Sequence, residues 1–236
     1  MQRILSTASG SDRCIVSFAC NGREAYCDAQ KRLLDSLKSV KWSEGVIFKS
    51  SDNGEVYPYS ITFGKSPTHK SVPYAFKPFL IQEAYEAGYN KILWVDSTIV
   101  AHKHPELFFE LMDIYPVIAC ENIGFPLKDW VTDWVVDKLS IDVQEAKQIM
   151  GCVVGFNLHN DLARHCFSTW LTMAIDGHSF KDNERSNRDG FIHTRHDQSC
   201  LSAIMHKLQL PILPYGLVAY SENRTDESIF VNTGIT

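Results

Sequence analysis

Lys91-Ile92-Leu93-Trp94-Val95-Asp96-Ser97-Thr98 is the stretch on which the fold turns. Four consecutive apolar residues, with β-branched and aromatic members, read as a short strand buried on both faces. A carboxylate, Asp96, follows at the carboxyl end of that strand. Helical patterns flank it. Phe76-Lys77-Pro78 opens a helix through Ala87, with Pro78 suited to the first turn and Gly88 to the stop. Pro105 starts another over Glu106–Tyr115. A strand between two helices is the unit of a layered α/β fold.

The same alternation runs outward in both directions. Cys14-Ile15-Val16-Ser17-Phe18-Ala19-Cys20 reads as an earlier strand, ended by the turn signal Asn21-Gly22. A helix over Arg23–Val40 follows, with Ala25, Ala29, Leu33, Leu34 and Leu37 on one face. Gly45–Lys49 and Val117–Cys120 are further short strands. Segment 126–150 carries Trp130, Val131, Trp134, Val135 and Leu139 at helical spacing. Gly151–Leu158 reads as a buried strand. Asn160 and Asp161 can cap a helix with Leu162, Cys166, Trp170 and Ala174 along one stripe, stopped by Gly177. Asp197 begins the last clear helix, with Leu201, Ile204, Met205 and Leu208 inward. The tail from Pro211 is mixed and suited to covering a sheet edge. No internal repeat or low-complexity linker interrupts the pattern.

Composition bounds the function. The 236 residues are 44 % hydrophobic and 22 % charged, which suits one domain with a large core. A net charge of −5 makes a nucleic-acid partner a minority reading. The longest apolar run, Leu210–Tyr220, is too short to span a bilayer and holds Pro211 and Pro214. The N-terminus has no apolar segment of the secretory kind, so a cytoplasmic location is expected. Seven cysteines (Cys14, Cys20, Cys27, Cys120, Cys152, Cys166 and Cys200) are scattered and odd in number. They read as buried free thiols, and no CxxC pair suggests zinc.

In open α/β sheets ligands bind beyond the carboxyl ends of the strands. Asn21 and Asp96 occupy such places. Asp96 could hold a divalent metal that neutralises a diphosphate, or could accept bonds from the turn that follows it. Lys77 could meet a phosphate as a point charge, or be a solvated lysine before a helix. Neither GxGxxG nor GxxxxGK[ST] is present, which removes the main support for dinucleotide-binding and P-loop readings. His193, His196 and Asp197 form a dense titratable group. They suit a general base with orienting partners, or a helix cap beside exposed histidines. A metal site built from His193, His196 and His206 matches no zinc spacing. Trp130 and Trp134 read as amphipathic core before they read as a sugar-stacking platform.

The ordered set of motifs resembles the nucleotide-sugar-dependent glycosyltransferases of the GT-A fold, in particular small enzymes of bacterial surface-polysaccharide and large-virus glycan systems. It comprises the Lys77-Pro78 helix, the strand Ile92-Leu93-Trp94-Val95 with its Asp96-Ser97 corner, the strand Gly151–Leu158, and Arg195-His196-Asp197-Gln198-Ser199 before a helix. The likeness runs from about Cys14 to Leu208. It implies a single Rossmann-like α/β domain over 1–236, with a mixed, mainly parallel sheet flanked by helices. A nucleotide-binding part would cover roughly 13–100 and an acceptor and catalytic part roughly 101–236.

The resemblance also implies a role for each motif. A UDP- or GDP-sugar would lie over the first strands, with Ala19, Cys20 and Asn21 near base and ribose. Lys77 would lie near the donor nucleotide. Asp96 and Ser97 would face the ribose and a Mn²⁺- or Mg²⁺-bound diphosphate. Asn157 would approach the sugar or acceptor, and Gln198 would help bind the nucleotide-sugar. Asp197, with His196, would serve the reacting hydroxyl of a glycan acceptor, as base in an inverting hexosyl or pentosyl transfer. The sequence departs from the family at Thr98, where a second carboxylate usually ligates the metal. A catalytically silent sugar- or protein-binding module and a sugar nucleotidyltransferase are the alternatives. The latter would need a Gly-rich basic loop that Ser17–Arg23 lacks.

Overall fold

The computed structural model describes residues 3–6, 10–19, 24–50, 59–182 and 186–235. The elements in chain order are β1 (Arg3–Ser6), β2 (Arg13–Ala19), α1 (Glu24–Ser39), β3 (Gly45–Ser50), β4 (Tyr59–Ser60), β5 (Gly64–Lys65), α2 (Phe76–Glu86), β6 (Lys91–Val95) and β7 (Ile99–Ala101). They continue with α3 (Glu106–Ile114), β8 (Val117–Pro126), α4 (Asp133–Leu139), β9 (Lys147–Asn157), α5 (Asp161–Ile175), α6 (Asp197–Lys207), β10 (Val218–Tyr220) and β11 (Phe230–Asn232).

Six strands form the central sheet in the order β1-β3-β2-β6-β9-β8. The β3, β2 and β6 neighbours are parallel, and β1, β9 and β8 pair antiparallel with theirs. The mixed α/β class is therefore as the sequence implies. The central strands β2 and β6 read as continuous apolar runs because both faces are covered. On one face Val16, Phe18 and Trp94 meet α2, α5 and α6 through Leu80, Trp170 and Leu201. On the other, Ile15, Leu93 and Val95 meet α1 and α3 through Leu33 and Phe109.

A second sheet, β10-β11-β7, lies on that other face, where Phe230 and Phe108 rings sit 5.3 Å apart. None of its three strands is legible beforehand, since each is only three residues long. The tail does more than cover an edge. Antiparallel pairing sets Asn232 of β11 opposite Ile99 of β7, just past the Asp96 corner. Thr233 then donates from both its backbone N and its hydroxyl to Thr98 O.

Two expectations shift in extent. The helical stretch expected within 126–150 is only the seven residues of α4, because β8 and β9 extend into a long hairpin-like ladder that takes up the flanks. Asn160 caps α5 as expected, accepting from Leu162 N and Ala163 N. Among the described residues the cysteines are free, and no helix is long and apolar enough to cross a membrane. Cys20 lies outside the described residues.

Candidate active site

Side chains two apart on a strand share a face. Trp94 and Asp96 therefore both turn toward α2, and Trp94 Nε1 donates to Asp96 Oδ1 at 2.6 Å. The corner is closed by backbone bonds from Asp96 N to Cys152 O and from Ile99 N to Asp96 O. From α2, Lys77 reaches the same point with its side chain almost fully buried. Its ammonium donates to Gly151 O at 2.9 Å and lies 3.1 Å from Asp96 Oδ1 and 3.0 Å from Asp197 Oδ2. Three elements distant in sequence thus meet on one cation. Burial alone would push Lys77 toward losing its proton, but the two aspartates more than offset this and raise its pKa above 10.5.

Asp197 opens α6, where a carboxylate suits the positive helix end. Trp170 Nε1 anchors it by donating to Asp197 O. The residue is buried, which raises its pKa above the ordinary carboxylate value while Lys77 pulls the other way. Oδ2 sits in ion-pair range of Lys77 yet receives no well-directed hydrogen bond. It is a buried acceptor left open.

His196 precedes it with φ +52° and ψ −118°, a conformation glycine adopts freely and other residues rarely do. Three contacts hold it there. His196 N donates to Thr194 Oγ1, Nδ1 lies 2.7 Å from Phe180 O, and the ring packs against Tyr74. A carbonyl partner places the proton on Nδ1 and leaves Nε2 free to accept.

Two adjoining hollows share Asp96 and Tyr74. The larger, about 340 Å³, is lined by Lys77, Gly151, Cys152, Arg195, Asp197 and Gln198 among others. Gln198 is fixed by Oε1 accepting from Gly151 N at 3.2 Å. The smaller, about 170 Å³, is an aromatic slot lined by Phe18, Tyr26, His69, Tyr74 and Phe76, with Asp96, Ser97 and Thr98 at its end.

The structure brings Lys77, Asp96, Ser97, His196, Asp197 and Gln198 together at this double cleft. It does not bring Asn157 there. Strand β9 is antiparallel to β6, so Asn157 pairs with Lys91 while Val153 pairs with Val95. Asn157 lies five residues, or about 17 Å, down the sheet from Cys152, which faces Asp96. Its Nδ2 donates to Met112 O. Gly151 and Cys152 take the place expected for it. Ala19 ends β2 but points to the face opposite Phe18 and lines neither hollow. Asn21 lies outside the described residues. The phosphate role expected of Lys77 also changes, since its ammonium is committed to three protein oxygens. His206 sits at the far end of α6 from His196, against Asp142 O, so no three-histidine site forms.

Sequence reading missed Tyr74, His69, Tyr26, Tyr220 and Asn232. Tyr74 sits at φ +59° in an irregular loop, with no periodicity to mark it.

A divalent metal, implied by the fold, is not matched by these side chains. Among the described residues no three His, Cys, Asp or Glu converge. Thr98 stands where a second carboxylate is wanted, and the two carboxylates that do converge already share an ammonium. A cation at a diphosphate site is held by one or two carboxylates, with phosphates and water completing its shell, and here Asp96 is already paired with Lys77.

No protein-family model matches the chain, and no curated protein matches it. Solved structures do. A glycosyltransferase involved in glycosylation of the major capsid of PBCV-1 superposes with a TM-score of 0.56 at 12 % identity, covering 95 % of this chain and 94 % of that one. The apo WbbM bifunctional glycosyltransferase gives 0.52 at 11 % identity, covering 94 % of this chain and 45 % of that one. The chain thus spans a little under half of the bifunctional protein's length. At such identities the likeness is one of fold, and the fold is the GT-A type.

Proposed function

We propose that the chain is a glycosyltransferase that moves a sugar from a nucleoside-diphosphate sugar to a hydroxyl of a glycan acceptor. The observation that carries the reading is the Asp96–Lys77–Asp197 constellation at the carboxyl ends of β2 and β6, where an α/β sheet binds ligands. The aromatic slot suits a nucleobase stacked among Phe18, Tyr26 and His69, with Asp96 accepting from the ribose hydroxyls.

In the larger hollow the acceptor hydroxyl meets Asp197. The hydroxyl oxygen forms a bond to sugar carbon one as the bond from that carbon to the diphosphate breaks. The proton passes to the Asp197 carboxylate, and the nucleoside diphosphate leaves. Displacement from the face opposite the leaving group inverts the anomeric centre. Lys77 acts from beneath. It holds the two aspartates at a summed charge of −1, which lowers their repulsion of the incoming diphosphate. His196 is a positioning residue that sets the start of α6.

A silent binding module on the same fold is the second reading, favoured by Thr98 in place of a carboxylate. Thermal-shift titration with UDP, GDP and their sugars, each with and without manganese, tests both. The transfer reading expects one nucleotide-sugar to raise the melting temperature with little dependence on manganese, and to release nucleoside diphosphate with an acceptor glycan. Binding without release under any acceptor leaves the silent module. The product's anomeric proton coupling in NMR reads the stereochemistry.

A further inference from the structure

Beyond the shared constellation, the cleft holds a cation that nothing has claimed. Arg195 precedes α6 with its guanidinium carbon 4.8 Å from the Phe125 ring centre and 5.4 Å from that of Trp130. Its backbone is pinned, since Arg195 N donates to Ser199 Oγ and that hydroxyl in turn bonds Trp130 O. Among the described residues Arg195 has no carboxylate partner. Its Nη1 is buried and makes no hydrogen bond. Gln198 Nε2 is a second buried donor without a partner, and both residues line the larger hollow. The two carboxylates of that hollow, Asp96 and Asp197, lie in ion-pair range of Lys77.

A buried donor without a partner is costly unless a ligand or water meets it. Two on residues that line one hollow, one of them charged and packed beside two aromatic rings, suit an anionic oxygen pair. We infer that Arg195 and Gln198 form a subsite for an acidic group on the acceptor saccharide, a carboxylate or a phosphate ester. The planar fork of Arg195 would bind two oxygens side by side, with the Gln198 amide closing the pocket. The group belongs to the acceptor because Phe125 and Trp130 lie outside the aromatic slot assigned to the base. This inference rests on the transfer reading only for the word acceptor.

The test is an NMR titration of the intact chain at low salt with methyl glucuronide, glucose 6-phosphate and neutral methyl glucoside. At least one anionic probe is expected to bind about tenfold tighter than the neutral one. Which of the two does so distinguishes carboxylate from phosphate. In R195Q, which keeps the stem over the rings, the preference falls to within about twofold. R195K keeps charge without the fork and retains a reduced preference. Equal binding of all three probes by the wild type overturns the subsite, and so does an undiminished preference in both variants. UDP and GDP are titrated into the same samples. Nucleotide binding without anion preference sinks the subsite alone. Anion preference without nucleotide binding sinks the transfer reading and leaves the subsite standing.

Discussion

Lys77 decides how the two aspartates behave. K77M would leave two carboxylates facing each other in a largely buried place, an uncompensated charge that costs about 3–5 kcal/mol. Urea denaturation at neutral pH measures that loss. The sign of the pH dependence follows from the shifts. Asp197 is raised above 3.8 in the folded chain, so the native state holds its proton longer than the unfolded one, and its cost to stability sets in as pH climbs past 3.8. Lys77 is raised above 10.5, so its contribution is complete below 10.5 and fades as pH rises through the folded value. The deficit of K77M should therefore shrink in acid, where both carboxylates are neutral, and a deficit that is flat with pH would contradict the pairing. On the proposed transfer, Asp197 has to be ionised to take a proton. The acidic limb of kcat/KM is expected above the ordinary carboxylate range. D197N is expected to lower turnover by roughly 10²–10⁴-fold while nucleoside-diphosphate affinity stays within about twofold, since the loss falls on proton transfer. Calorimetry and a nucleotide-release assay separate the two quantities.

At the scale of elements, the direction of β9 decides which of the expected residues the fold brings to one place. Asp96 was legible because an apolar run that ends in a carboxylate marks its own exit, whichever way its neighbours run. Asp197 was legible for a similar reason, as a polar cluster opening an amphipathic helix. Asn157 was misplaced because a fully buried strand looks the same from either end. Only its antiparallel pairing with β6 reveals that Gly151, not Asn157, reaches the site. The convergence of Lys77 on both aspartates was equally hidden, since it depends on how α2 and α6 pack on one face of the sheet. Gly151 now has a reason. A Cβ there would come 2.9 Å from Gln198 Cβ, so at this point β9 and α6 approach closely because the residue lacks one. G151A is expected to cost about 1–3 kcal/mol by overpacking. It should also raise the acceptor KM, since it pushes Gln198 away from the hydrogen bond that orients it. Denaturation and steady-state kinetics check the pair of effects, and a normal KM would mean that Gln198 does not need this support.

For the whole molecule, the site stands where two sheets and two cores adjoin, so remote packing should be felt in binding. Phe230 is fully buried against Phe108 in the small sheet. F230A is expected to cost about 3–5 kcal/mol, as for other buried Phe truncations. It should also weaken nucleotide affinity, because β11 braces the corner after Asp96 through the bonds from Thr233 to Thr98 O. A thermal-shift titration of the variant reads both, and unchanged affinity would show the small sheet to be ornamental. The overall α/β layering was visible in the alternation of runs, whereas the small sheet was not, because strands of three residues carry no period. Its position has a consequence in time. The corner is made early on the ribosome, but its brace is translated some 135 residues later. At ~5–20 residues per second the interval is on the order of ten seconds. Throughout it the nascent chain carries an unfinished cleft, so ligand binding at the corner waits on translation of β11 and of Thr233 behind it.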